Sequence, residues 1–149
     1  MIKDKYIFPA IFSYVEDGVS VEFPDLPGCY TCADSTEEAL RMAKDALGLH
    51  IYGMEQDDEK VPLPSPINSL KLEKGQVVVL VETWMPLIRN IVENRAVKKT
   101  LTIPKWLNDM AESNNVNFSH VLQTAPKDYL GVDRYREYFH IFSCFRVIS

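Results

Sequence analysis

Residues 97–103, Val-Lys-Lys-Thr-Leu-Thr-Ile, hold side chains of the kind that read nucleic acid. In an extended chain, successive side chains point to opposite faces. Val97, Lys99, Leu101 and Ile103 then share one side, and Lys98, Thr100 and Thr102 share the other. The first side is apolar enough to pack, while the second offers one ammonium and two hydroxyls. A lone strand of this length leaves its backbone donors and acceptors without partners, so it needs a second copy to pair with. Two such strands form a ribbon that fits the DNA major groove and presents hydrogen-bonding groups to base edges.

Other chemistries fare less well. Cys29-Tyr30-Thr31-Cys32 matches a C-x-x-C pattern. A zinc site of that type needs a second pair of ligands, and in a strand over 29–33 the two thiols point to opposite faces. Three cysteines, Cys29, Cys32 and Cys144, are too few for a disulfide framework. His50, His120 and His140 are scattered, without nucleophile–base or metal-ligand spacing. Metal-dependent cleavage needs several carboxylates converging from strand and helix ends. The candidates are Glu22, Asp25, Glu37 and Glu38, and the last two sit where a helix start attracts acids anyway. The expectation is a protein that is not an enzyme, with no catalytic residue, metal or cofactor.

The elements that must position the 97–103 segment follow it directly. Pro104 suits the first turn of a helix; Trp106, Leu107, Met110 and Ala111 supply its apolar face, and Asn114-Asn115 ends it. Ser119 is expected to cap a second helix, with Val121, Leu122, Ala125, Tyr129 and Leu130 facing inward and Gly131 closing it. Upstream, residues 5–13 read as a strand in which Pro9 marks an edge or bulge. Glu16-Asp17-Gly18 is a turn, 19–23 a second strand, and 24–28 (PDLPG) a rigid loop leading to a third strand over 29–33. A cap at Ser35 or Thr36 opens a helix with Ala39, Leu40, Ala43, Leu47 and Ile51 on its buried stripe, expected to end at Gly53. The run 77–81 (VVVLV) reads as a strand buried on both faces. Residues 85–94 form a connection of unassigned type. The order β-β-β-α-β gives an α+β layer, one sheet with a helix across it.

The 149 residues are 46% apolar, enough for one ordinary domain or a small one with an appendage. A net charge of −5 and a pI near 5.2 argue against a chain that simply coats nucleic acid. Acids concentrate in residues 1–95, while Arg95, Lys98, Lys99 and Lys105 gather around the strand segment. An acidic body with a basic patch suits a basic protein partner at one end and phosphates at the other. With no signal peptide and no apolar run long enough for a membrane span, a cytoplasmic protein is expected.

Two blocks together resemble a known family. FPDLPGCYTCADSTEEALRMAKDAL is similar to the HicB family of type II antitoxins, and KKTLTIPKWLNDMAESNNVNFSHVLQTA to the ribbon-helix-helix module carried by one branch of it. The resemblance implies a small RNase H-like β-β-β-α-β domain over 1–84 that caps a HicA-like mRNA-cleaving toxin. A linker over 85–95 and a ribbon-helix-helix domain over 96–132 would follow, the latter binding operator DNA as a homodimer and repressing the operon. Residues 133–149 receive no assignment, and assembly beyond the dimer stays open. The family's base-reading positions fall on Lys98, Thr100 and Thr102. Backbone amides opening the second helix, at Phe118, Ser119 and His120, would grip phosphate, since helix starts bind anions. Because such a toxin carries positive charge where RNA binds, Glu16, Asp17, Glu22, Asp25 and Asp34 are its candidate contacts; an ordinary solvated acidic face explains the same residues. Pro126 departs from the pattern. Inside a helix proline costs about 3 kcal/mol or more, so the second helix is expected to kink or stop early. The alternatives are a stand-alone ribbon-helix-helix regulator whose N-terminal domain senses a ligand, and a cryptic nuclease.

Overall fold

In the computed structural model, which describes residues 2–93 and 95–131, the Glu16-Asp17-Gly18 signal becomes a tight hairpin. Strand β1 (Lys5–Val15) returns as β2 (Gly18–Glu22) with Val15 opposite Gly18, leaving Glu16 and Asp17 as the loop. Gly18 has φ +142°, and a Cβ there would stand 2.5 Å from the Ala33 carbonyl oxygen, so only glycine fits. β3 (Tyr30–Ala33) pairs outside β2, and β4 (Gln76–Trp84) pairs along the other side of β1. The sheet is antiparallel throughout, in the order β3-β2-β1-β4.

Pro9 lies opposite Leu80 of β4, in the half of β1 that β2 does not reach. The Tyr14 N–H donates to the Gly75 carbonyl and the Met85 N–H to that of Asp4, which makes the even-numbered β1 residues the hydrogen-bonded ones toward β4. An odd-numbered proline therefore costs this ladder nothing.

Helix α1 (Thr36–Gln56) crosses one face, and Ser35 Oγ caps it by accepting from the Glu38 N–H at 3.2 Å. Its buried stripe is Ala39, Ala43, Leu47, Gly48 and Ile51; Leu40, expected on that stripe, is exposed. The helix also runs through Gly53 instead of ending there. Met54 packs against the core and Glu55 is gripped by Arg89, contacts that outweigh the roughly 1 kcal/mol that a helical glycine costs. Phe8, Phe12, Val21, Phe23, Leu26, Leu47, Ile51 and Met85 fill the layer between helix and sheet, and burying each contributes roughly 1.5–3 kcal/mol.

Two further expectations change. The 77–81 run is not buried on both faces: β4 is a sheet edge, Val81 and Thr83 face the core, and Leu80 is 55% exposed. The segment expected as a linker is, over most of its length, helix α2 (Met85–Glu93), whose Met85 belongs to the core. Gly48 lets it approach, since a Cβ there would stand 2.8 Å from Ile88 and from Thr83. Of the described residues, those up to Val97 accordingly belong to one compact unit and those from Lys98 onward to another.

In the second unit, α3 (Lys105–Ser113) begins directly after Pro104 and ends at Asn114, with Asn115 at φ +54°. α4 (Phe118–Leu130) follows, closed by Gly131 in the left-handed region. It neither stops nor shortens at Pro126, which sits inside a continuous helix. Its cap is Asn117, whose side chain accepts from the His120 N–H at 3.0 Å, not Ser119. Residues 95–104 join no sheet in the single chain. The aromatic segment 133–149 lies outside the described residues.

Candidate functional site

The chain presents two separate sets of candidate contacts. In the C-terminal unit, Lys98, Thr100 and Thr102 are all exposed, and so are Val97, Leu101 and Ile103 on the alternate positions. Among the described residues, no ion pair involves Lys98 or Lys99, whereas Arg95 is paired with Glu93 and Lys105 with Asp109 at 2.7 Å. The basic cluster read from the sequence thus retains two uncommitted cations, both within 97–103. At the start of α4, the His120 amide is occupied by Asn117. The Phe118 and Ser119 amides, in the same first turn, have no intrahelical acceptor, because the first N–H groups of any helix lack one. An anion at this end would meet those two amides and the positive end of the helix dipole.

The acids of the N-terminal unit separate into three places. Asp17 and Asp34 line one shallow hollow of about 270 Å³ at the β2–β3 end, together with Ser20, Cys32 and Glu38. Glu16 stands beside Asp17 in the hairpin loop. Glu38, read in the sequence as a first-turn acid, reaches the hollow from α1, where its carboxylate accepts from the Asp34 N–H at 3.5 Å and pairs with Arg41 at 3.3 Å. Glu22 lies at the far end of β2, opposite Ile11 and Tyr30, on the sheet face away from α1.

Asp25 has another task. Its carboxylate accepts from the Ser65 backbone N–H at 2.9 Å and from the Ser65 hydroxyl, tying the PDLPG loop to the proline-rich 61–66 segment. The loop's own backbone bonds, Phe23 with Cys29 and Leu26 with both, bury Phe23, Leu26 and Cys29 beneath it. Each carboxylate oxygen of Asp25 therefore already accepts one hydrogen bond from its own chain, which leaves it less available to a partner.

Cys29 is buried, and loss of hydration pushes its thiol up to about 12; Cys32 is exposed. The two thiols do face different surroundings, although Cys29 belongs to the loop before β3 (Tyr30–Ala33) and only Cys32 to the strand. Among the described residues, no group of three His, Cys, Asp or Glu side chains is placed to hold a metal ion. No helix there is long and apolar enough to cross a membrane.

Sequence reading gave no sign of Arg89. From α2 it donates twice to Glu55 of α1, at 2.9 and 2.8 Å, once to Asp4 at 3.0 Å and once to the Lys3 carbonyl at 2.8 Å. These hydrogen bonds, Glu55 first, raise its pKa above the ordinary arginine value. The cluster fastens both ends of the N-terminal unit and is structural.

Among the described residues, a helix layered on a four-stranded antiparallel sheet and two further helices in the second unit define a mixed α/β fold. The family model of HicB-like antitoxins of bacterial toxin–antitoxin systems matches residues 8–126, and the chain belongs to that family. It is 32% identical over 101 residues to an uncharacterized 14.9 kDa protein of Haemophilus phage HP1, covering 68% of this chain and 75% of that one. It is 44% identical over 61 residues to antitoxin HicB 1 of Photorhabdus laumondii, a match spanning 40% of this chain and 39% of the relative. A toxin–antitoxin complex from Streptococcus pneumoniae contains a chain with the same fold, at TM-score 0.55 and 27% identity, covering 84% of this chain and 99% of that one.

Proposed function

We propose that this antitoxin acts by binding alone, with the N-terminal unit covering a HicA-like ribonuclease toxin and two C-terminal units together gripping operator DNA. The observation that carries the second half is an absence of burial. Among the described residues, none in α3 or α4 is buried, and Leu101, Trp106, Met110, Val121 and Leu130 all lie exposed. Helices this short are marginal in water unless an apolar face is packed. A second copy supplies that packing, and the same association lets the two 97–103 segments pair as a ribbon. Lys98, Thr100 and Thr102 then face the bases, and the Phe118 and Ser119 amides meet a phosphate on either side.

For the toxin, the hollow holding Asp17, Asp34 and Glu38, with Glu16 adjacent to Asp17 in sequence, is the favoured contact: it sets Asp17 and Asp34 at one end of the sheet, with Glu38 held by Arg41 beside them. Asp25, beyond the opposite end of β2, ties its own loop to Ser65 and is not part of that contact. The proposal places the protein in the cytoplasm, where both partners are found.

Replacing Lys98, Thr100 and Thr102 by alanine should abolish operator binding in a mobility-shift assay and leave growth rescue against the co-expressed toxin intact. Normal binding by that triple variant would remove the ribbon. Asp17→Lys with Asp34→Lys should do the reverse, losing rescue while retaining the shift. A stand-alone, ligand-sensing regulator would draw on a different feature, the groove of about 440 Å³ between Tyr6, Phe8 and the 61–64 segment. A short basic reading frame adjacent to this one favours the antitoxin reading over the sensor.

A further inference from the structure

The sheet ends in two unlike edges. β3 is four residues long, whereas β4 runs for nine, QVVVLVETW, with no proline or lysine in it. Proteins usually blunt long edges with such residues, with bulges or with a covering element, because unpaired backbone groups recruit other strands. The direction of those groups in β4 follows from the ladder. The bonds from Tyr14 to Gly75 and from Met85 to Asp4 fix the odd-numbered β4 residues as the ones bonded to β1. Val78, Leu80 and Glu82 therefore turn their N–H and C=O groups outward, and no described backbone group pairs with them. At the end of the strand, the Gln76 N–H is taken by the Glu73 carbonyl.

We infer that β4 pairs with β4 of a second copy, antiparallel about a twofold axis at Leu80, so that two four-stranded sheets become one. Outward residues must meet outward residues, and an axis at Leu80, the middle of the strand, uses its whole length. Leu80 then exchanges both bonds with its symmetry mate, and Val78 exchanges both with Glu82 in each direction. On the α1 side, Val79 meets Val81, so that branched side chains at the edge cover one another. Charge points to the same partner. β4 carries a single acid, Glu82, already paired with Lys5 at 2.7 Å, and this register sets it against Val78. An axis at Glu82 would oppose two carboxylates, which is destabilising. A basic partner finds little to attract it on this edge, while a second β4 matches it on both faces. The inference rests on the sheet alone and is independent of the pairing proposed for 97–103.

Cysteine cross-linking of the full-length chain in a Cys32→Ser, Cys144→Ser background tests it. Leu80→Cys should give a disulfide-linked dimer under mild oxidation, since hydrogen-bonded antiparallel partners stand about 5.5 Å apart at Cα, within disulfide range. Val78→Cys alone should not, because its copies lie four residues out of register, roughly 13 Å along the strand. Adding Glu82→Cys to it should restore the link. In the unmodified protein, the Val78, Leu80 and Glu82 amides should exchange at least tenfold more slowly at high concentration than after dilution. Equal cross-linking at 78 and 80, no link at 80, or fast exchange of all three amides at every concentration would overturn the inference.

Discussion

Phe12 and Met110 are both large apolar side chains facing the same solvent, and they end differently: Phe12 is 0% exposed and Met110 57%. Phe12 belongs to a unit that closes on itself, with a helix laid over a sheet and, among the described residues, no buried side-chain polar atom lacking a hydrogen bond. Met110 belongs to a unit in which, among the described residues, neither α3 nor α4 has a buried residue in one chain, although α4 is capped by Asn117 and closed by Gly131. The contrast teaches that local signals suffice to form a helix in this protein but not to complete a domain. One half of the chain carries its own stabilising surface; for the other half, a second molecule is proposed to supply it.

The largest effect should separate the halves outright. Phe12→Ala should cost about 3–5 kcal/mol, seen as a lower denaturation midpoint of the N-terminal unit when the two proteins are compared at one concentration. Met110→Ala should leave that midpoint in place and instead shift the concentration at which dimers dissociate. A Met110→Ala protein that loses N-terminal stability would blur the comparison.

Next comes Arg89→Met. It leaves Glu55, whose side chain is only 10% exposed, without its partner, and removing one member of a buried pair costs about 3 kcal/mol or more. Urea denaturation should show that loss, while operator binding by dimeric protein is retained. A loss of operator affinity at full folding would contradict the purely structural role.

The smallest effect is a pH dependence. Burial lowers the pKa of His50 below its ordinary 6.5, with Glu59 pulling the other way. The folded state therefore binds this proton less readily than the unfolded one. The contribution is fully present above the unfolded value and is lost as pH falls through the folded one. His50→Gln should flatten the decline in stability between neutral and mildly acidic pH; an unchanged slope would show that other groups set it.

Much of the N-terminal unit could be read in advance because its signals are local. Glu16-Asp17-Gly18 needs no distant partner to turn, and Ser35 caps α1 with an amide three residues away. What could not be read depends on contacts across the fold. Gly53 continues a helix because Arg89, thirty-six positions later in sequence, holds the adjacent Glu55. Asp25 looked like a free acid until Ser65 was beside it. The VVVLV run of β4 looked doubly buried, and only the strand order shows it to be an edge. At α4, Asn117 and Ser119 are both good caps by composition, and backbone geometry chose Asn117. The acids of the hollow come from a hairpin, a strand end and a helix start, so no spacing in the sequence could have joined them.

Operator binding, as proposed, requires two chains to lend each other residues 97–103. Isotope-filtered NMR on an equimolar mixture of labelled and unlabelled chains measures this directly. Backbone contacts between copies along Lys98, Thr100 and Thr102 in an antiparallel pattern are the predicted result. A dimeric sample in which these residues contact only their own chain, or no chain at all, would contradict it.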